Sequence, residues 1–150
     1  MLKKHLRSTG LISLLLLLVT ALNANSQTND RQINFTATTW TEALKQASAQ
    51  NKLIFVDAYA TWCGPCKMLQ ATTFKNLKAA AFFNKNFVNT ALNMESGKNP
   101  YLAQEWGMRA YPTLIVFNPK GQIILNTVGY ITATDLIRFG EEALRRYQAP

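Results

Sequence analysis

Cysteine and histidine are almost missing from this 150-residue chain, whose only cysteines are Cys63 and Cys66 and whose only histidine is His5. A structural zinc site needs about four ligands from Cys, His or carboxylate, and an iron–sulfur cluster fails on the same count. No resident metal is therefore expected. Covalent haem attachment would put a histidine directly after the second cysteine, where Lys67 stands. Acidic residues are also few, eight against 16 Lys and Arg, for a formal charge of +8. The basic residues form neither a cluster nor a stripe interleaved with aromatics. Nucleic acid is not an expected partner, and the surplus reads as a solvated basic surface. There is no internal repeat and no low-complexity tract. The apolar stretch Leu11 to Val19 is shorter than the roughly 18–20 residues of a spanning helix.

That stretch follows Lys3, Lys4 and Arg7 and precedes small and polar residues, the layout of a secretory signal peptide. Ala24-Asn25-Ser26 puts small residues where a signal peptidase reads, so residues 1–26 are expected to be removed before Gln27. An uncleaved signal anchor is the alternative, and no cysteine follows the run to carry a lipid. Either way the remainder is expected outside the cytoplasm, periplasmic or secreted. Losing residues 1–26 lowers the formal charge from +8 to +5. About 120 residues remain, the size of one ordinary domain.

Residues 27–36 read as a polar lead-in, with Ile33 to Phe35 a candidate edge strand, and residues 37–150 as the domain proper. Thr39-Trp40-Thr41-Glu42 has capping-box spacing, and Trp40, Ala43, Leu44 and Ala47 follow at helical intervals. Leu53 to Tyr59 is apolar except for Asp57, the pattern of a strand buried on both faces. A helix after Cys63 carries Met68, Leu69 and Ala71 and breaks near Thr73 to Asn76. A second short helix is predicted over Leu77 to Asn84, a strand over Phe87 to Leu92, and a helix from about Pro100. Strands Thr113 to Phe117 and Ile123 to Thr127 flank the turn Asn118-Pro119-Lys120-Gly121. Thr132 to Asp135 opens a last helix, whose Leu136, Ile137, Phe139 and Leu144 cover a sheet face. The order β-α-β-α-β-α-β-β-α predicts an α/β fold, a mixed central sheet with helices on both faces.

Within this order, Trp62-Cys63-Gly64-Pro65-Cys66-Lys67 lies at a strand-to-helix transition. Two cysteines separated by two residues there can cycle between dithiol and disulfide. The helix opening at Cys63 would turn unpaired N–H groups and a partial positive charge toward its sulfur, favouring the thiolate. A purely structural disulfide is the alternative, but so short a loop constrains the unfolded chain little.

The run Phe55 to Lys67, together with Tyr111-Pro112-Thr113-Leu114, Phe117 to Gly121 and Val128-Gly129-Tyr130, resembles the thioredoxin family over roughly Trp40 to Tyr147. Thr72-Thr73-Phe74 is further similar to the periplasmic thioredoxin-like domain of transmembrane disulfide reductases. The resemblance implies a thioredoxin-like fold and a role for each matching residue. Cys63 corresponds to the attacking cysteine, exposed at the helix start, and Cys66 to the buried resolving cysteine. Gly64 and Pro65 match the strongly reducing members. Asp57 corresponds to the carboxylate that assists proton transfer at the resolving cysteine, and burial would raise its pKa. Pro112 corresponds to a cis-proline beside the sulfurs, which would leave the backbone of Tyr111 free for an extended substrate segment.

Trp62 reads either as a contact surface at the mouth of the site or as a core residue. For Tyr59, packing is the expected role, and Lys67 reads as a weak thiolate-favouring charge or simply a solvated lysine. One position departs from the family: Ala91 stands where many members carry a buried lysine near the aspartate. Its absence should push Asp57 further toward the neutral form.

These residues imply a protein-disulfide reductase whose only redox group is the Cys63–Cys66 pair, with no added cofactor; the chain does not fix its oligomeric state, and a monomer is the default expectation. Its expected partners are protein thiols and disulfides and a membrane-embedded electron donor, since an oxidising compartment would otherwise drain the dithiol. The competing functions are a net disulfide oxidase or isomerase, and a redox-dependent binding protein or chaperone with little turnover.

Overall fold

The computed structural model describes residues 31–148. The expected signal segment, and the lead-in as far as residue 30, lie outside the described residues. Among the described residues no helix is long and apolar enough to cross a membrane.

Helix α1 (Trp40–Gln50) leads to strand β1 (Leu53–Tyr59), helix α2 (Gly64–Ala71) and a 3-10 turn (Thr73–Lys75). Helix α3 (Leu77–Asn86), strand β2 (Phe87–Asn93) and helix α4 (Asn99–Glu105) follow. Strands β3 (Thr113–Phe117) and β4 (Ile123–Val128) precede helix α5 (Ala133–Gln148). The strands form one mixed sheet in the order β2-β1-β3-β4. β1 pairs parallel to β2 and antiparallel to β3, and β3 pairs antiparallel to β4. This is the thioredoxin fold, an α/β architecture with helices on both faces.

The near-continuous apolar run of β1 is explained by the two cores it separates. Leu53 and Phe55 face a cluster with Leu69 of α2, Phe83 of α3, and Leu136 and Phe139 of α5. Ile54, Val56 and Ala58 face the opposite cluster with Ala43 and Ala47 of α1 and with Trp106. Alternation therefore sends Asp57 to the α2 side of the sheet. In the last helix Leu136 and Phe139 are buried, while Ile137 and Leu144 pack at the margin of the same core.

Three details differ from the sequence reading. Ile33 to Phe35 is not a strand: the Ile33 N–H donates to the Phe74 carbonyl and the Asn34 N–H to the Asn84 side chain. The edge of β2 is met instead by a single parallel bridge between Ala37 and Thr90, whose hydroxyl donates to the Ala37 carbonyl at 2.8 Å. At the start of α1 the Thr39 hydroxyl accepts from the Glu42 N–H as expected, but the Glu42 carboxylate accepts from Thr38, one residue earlier than a capping box places it. On α2, Met68 and Ala71 are exposed, and Leu69 alone of the three predicted apolar positions enters the core.

Candidate active site

The C-terminal end of β1 delivers the chain into a tight turn, and α2 starts one residue after Cys63. Cys63 is the N-cap, with extended backbone, and its sulfur accepts a hydrogen bond from the Cys66 N–H at 3.2 Å. A helix start leaves its first N–H groups without intrahelical partners, so the sulfur at the cap lies where negative charge is stabilised. Pro65 falls in the first turn, where its missing N–H costs no hydrogen bond. Cys63 and Cys66 form a disulfide with their Cα atoms 5.3 Å apart, well inside the range such a bond spans.

The expectation of an exposed Cys63 is corrected in this disulfide form. Cys63 is 3% exposed and Cys66 1%, and both pack with Ala60 between the flanking rings of Tyr59 and Tyr111. In the disulfide the Cys63 sulfur lies buried, and Gly64 and Pro65 are the exposed part of the loop. Trp62, 67% exposed, lies outside the core and forms one wall of the site. Its ring meets Tyr111 edge-on at 5.9 Å. Tyr111 belongs to the opposite wall, where the Tyr111–Pro112 peptide bond is cis and Pro112 is buried. The Pro112 carbonyl accepts from the Gly129 N–H at 2.8 Å, tying this wall to the end of β4.

Asp57 is fully buried, flanked in the sheet by Ala91 of β2 and Leu114 of β3. Burial pushes its carboxyl from 3.8 up to about 7, with the Gln70 side chain acting in the opposite direction. Neither carboxylate oxygen closes a hydrogen bond within the described residues. Ala91 thus stands beside Asp57 on the same sheet face and brings no charge.

Glu95 was not among the residues the sequence singled out. It follows β2, and both its oxygens accept from the Trp62 indole N–H, at 2.9 and 3.1 Å. Tyr111 is held above its ordinary pKa, first by partial burial and then by the Glu95 charge. Only a contact across 33 positions reveals this clamp, so no local pattern could have shown it. Glu95→Ala is expected to free the indole and raise KM for protein disulfides about three- to tenfold, the scale of one ordinary net hydrogen bond at an exposed site. Turnover of a small-molecule disulfide, which does not span the Trp62 wall, should stay near the wild-type value.

A disulfide-forming Cys-X-X-Cys at a helix N-cap, on this sheet topology, defines a thiol–disulfide oxidoreductase. The family model for Thioredoxin matches residues 31–142, and the chain belongs to that family. Among curated relatives, thioredoxin of Malassezia sympodialis is 35% identical over 88 residues, covering 59% of this chain and 79% of that one. Thioredoxin H4 of Arabidopsis thaliana is 35% identical over 92 residues, covering 60% and 71%. Among solved structures, a disulphide-isomerase candidate from Bacteroides thetaiotaomicron is 38% identical with a TM-score of 0.68, covering 78% of this chain and 97% of that one. The C-terminal domain of DsbD from Neisseria meningitidis, oxidised form, shares the fold at 23% identity and a TM-score of 0.57, covering 71% and 97%.

Proposed function

We propose that this protein is an extracytoplasmic reductase of protein disulfides. The observation that carries the reading is the Cys63-Gly64-Pro65-Cys66 disulfide at the N-cap of α2, with the Cys66 N–H donating to the Cys63 sulfur. In the dithiol form the Cys63 thiolate attacks one sulfur of a substrate disulfide, forming a mixed disulfide and releasing the first substrate thiolate. The Cys66 thiol then gives its proton to the Asp57 carboxylate and attacks the Cys63 sulfur. That step closes the Cys63–Cys66 bond and releases the second substrate thiolate. The substrate gains two electrons and the protein loses two.

Trp62, Tyr111 and Pro112 would line the groove that receives the substrate backbone, with Gly64 and Pro65 at its floor. The charged start and short apolar stretch of the N-terminal segment support an extracytoplasmic site of action. Working in an oxidising compartment, the protein needs its dithiol restored by a donor reaching it through the membrane. A monomer suffices for every step.

The likeness to a disulphide-isomerase candidate, which extends over 97% of that chain, favours isomerisation as the second reading. The two separate on potential and on trapped partners. A reductase is expected near the roughly −270 mV of thioredoxin, and a value near the roughly −180 mV of protein disulfide isomerase would overturn the assignment in favour of isomerisation. Cys66→Ser should accumulate mixed disulfides with extracytoplasmic proteins, because the resolving thiol is gone. Capture of cytoplasmic proteins alone would refute the proposed location.

A further inference from the structure

The groove at the disulfide does not end at Trp62, Tyr111 and Pro112. Those residues stand at the N-terminal end of α2, and a second aromatic side chain, Tyr130, stands at its C-terminal end. Tyr130 lies between β4 and α5 in a segment fixed on both sides. The Gly129 N–H donates to the Pro112 carbonyl, and the Thr73 hydroxyl donates to the Ile131 carbonyl, each at 2.8 Å. Gly129 has φ +95°, a backbone that L side chains rarely adopt, so the turn into Tyr130 calls for glycine. Between these two anchors the Tyr130 side chain is exposed.

The Tyr130 hydroxyl lies 3.4 Å from that of Thr72, the C-cap of α2. Thr72 gives its own proton to the Met68 carbonyl at 2.7 Å, which leaves Tyr130 as the donor in this loose contact. Pro65, Met68 and Thr72 follow at helical intervals on one face of α2, and all three are exposed. That face runs from the disulfide loop to Tyr130 and carries the Met68 side chain on the way. Neither Met68 to Thr72 nor Val128 to Ile131 contains a charged residue. Single exposed apolar side chains need no explanation, but these two extend a surface that must already receive a substrate. A tyrosine held at both neighbours also loses little freedom when something packs on it.

Helix α2 separates Cys63, its N-cap, from Thr72, its C-cap, by about 13 Å along the axis. An extended segment covers that length in about four residues. We propose that Met68 and Tyr130 form an apolar shelf that selects protein substrates with a large apolar side chain about four residues from the reacting cysteine. This selection rests on the proposed reading of the protein as a reductase of protein disulfides, and it names which of them react fastest. A substrate whose cysteine is at Cys63 and whose backbone passes Tyr111 and Pro112 lays its next residues along the Pro65–Met68–Thr72 face. The flexible Met68 thioether adapts to aliphatic and aromatic partners alike, so the shelf reads apolar bulk and not one residue type.

The test uses single-cysteine peptides, each joined to a copy of itself by a disulfide, with Phe or Ser placed four positions before or after the cysteine. The readout is the second-order rate at which each peptide oxidises the reduced protein. On one side of the cysteine the Phe peptide should react about tenfold faster than its Ser counterpart, the scale of partly burying one aromatic side chain. Combining Tyr130→Ala with Met68→Ser should bring that ratio below about twofold, because the apolar cover is gone. Tyr130→Phe should keep the ratio, since the two backbone bonds and not the hydroxyl present the ring. A ratio near one for both wild-type pairs, a ratio unchanged in the double variant, or its loss in Tyr130→Phe would overturn the proposal. Taking a ratio cancels any general loss of activity, so a variant that folds less well still reports. Should wild type react with none of the peptides, the reductase reading itself falls; should it react with all of them equally, that reading stands and the shelf is refuted.

Discussion

Cys63→Ser is expected to bring turnover of protein disulfides down to the uncatalysed background while the domain stays folded. The hydroxyl of serine is not ionised near neutral pH, so the N–H groups at the start of α2 have no thiolate to stabilise and no mixed disulfide forms. Stability should suffer little by comparison. The bond closes a loop with a sequence separation of only 3, for which the chain-entropy relation gives about 2 kcal/mol. The two sheet-covering cores do not include either sulfur. An insulin-type reduction assay alongside a urea melt separates the two effects. Wild-type turnover no faster than that of Cys63→Ser would refute catalysis through this pair.

Asp57→Asn is expected to make the oxidised protein more stable at pH 8 by about 4 kcal/mol, and no more stable at pH 3. The native carboxyl titrates near 7 because it is buried, against an ordinary 3.8. Below 3.8 the group is protonated in both the folded and the unfolded chain and contributes no difference. Between 3.8 and about 7 the unfolded chain releases the proton and the folded one keeps it, so wild-type stability falls as pH rises, then levels off above 7. At about 1.4 kcal/mol per pH unit the loss amounts to about 4 kcal/mol. Asparagine has the shape of the protonated acid and does not titrate, so the variant should lack this contribution, and the difference between variant and wild type should grow from pH 4 to pH 7. If Asp57 takes the Cys66 proton as proposed, the same substitution removes that acceptor, and turnover near pH 7 is expected to fall by about a hundredfold. A variant that gains stability and loses rate would mark Asp57 as a group kept for chemistry. Urea melts across pH 3–9 with parallel kinetics check both halves, and a pH-independent wild-type midpoint would sink the stability argument.

Much of this site was legible before the fold. The spacing of Cys63 and Cys66 after an apolar strand announces the chemistry, because a dithiol turn needs only local geometry. Asp57 stands out as the one charge inside β1, and Tyr111-Pro112 as part of a familiar run. Strand β1 matches its predicted bounds because seven nearly unbroken apolar positions, Leu53 to Tyr59, leave little freedom. The lead-in was harder. Ile33 and Phe35 look like strand residues, but the Ile33 backbone is taken by Phe74, and the edge of β2 receives Ala37 instead. Edge pairing of that kind depends on which distant carbonyls are free.

The same holds for the walls of the site. Trp62 is apolar and aromatic, equally at home in a core, and only the tertiary structure shows it outward, hydrogen-bonded to Glu95 and beside Tyr111. Cys63 reads as exposed from its place at a helix start, yet in the disulfide it is buried in a small cluster against which Tyr59 and Tyr111 pack.

By itself, then, the sequence determined the reacting atoms, the strand and helix that carry them, and the absence of a charged partner at Ala91, all properties of short segments. Tertiary structure alone decided what surrounds those atoms: Glu95 on the indole, and Leu114 and Ala91 beside a carboxyl with no hydrogen bond among the described residues. Those neighbours lie between 33 and 57 positions from the residues they touch, and the chain meets them only by packing its two cores against the sheet.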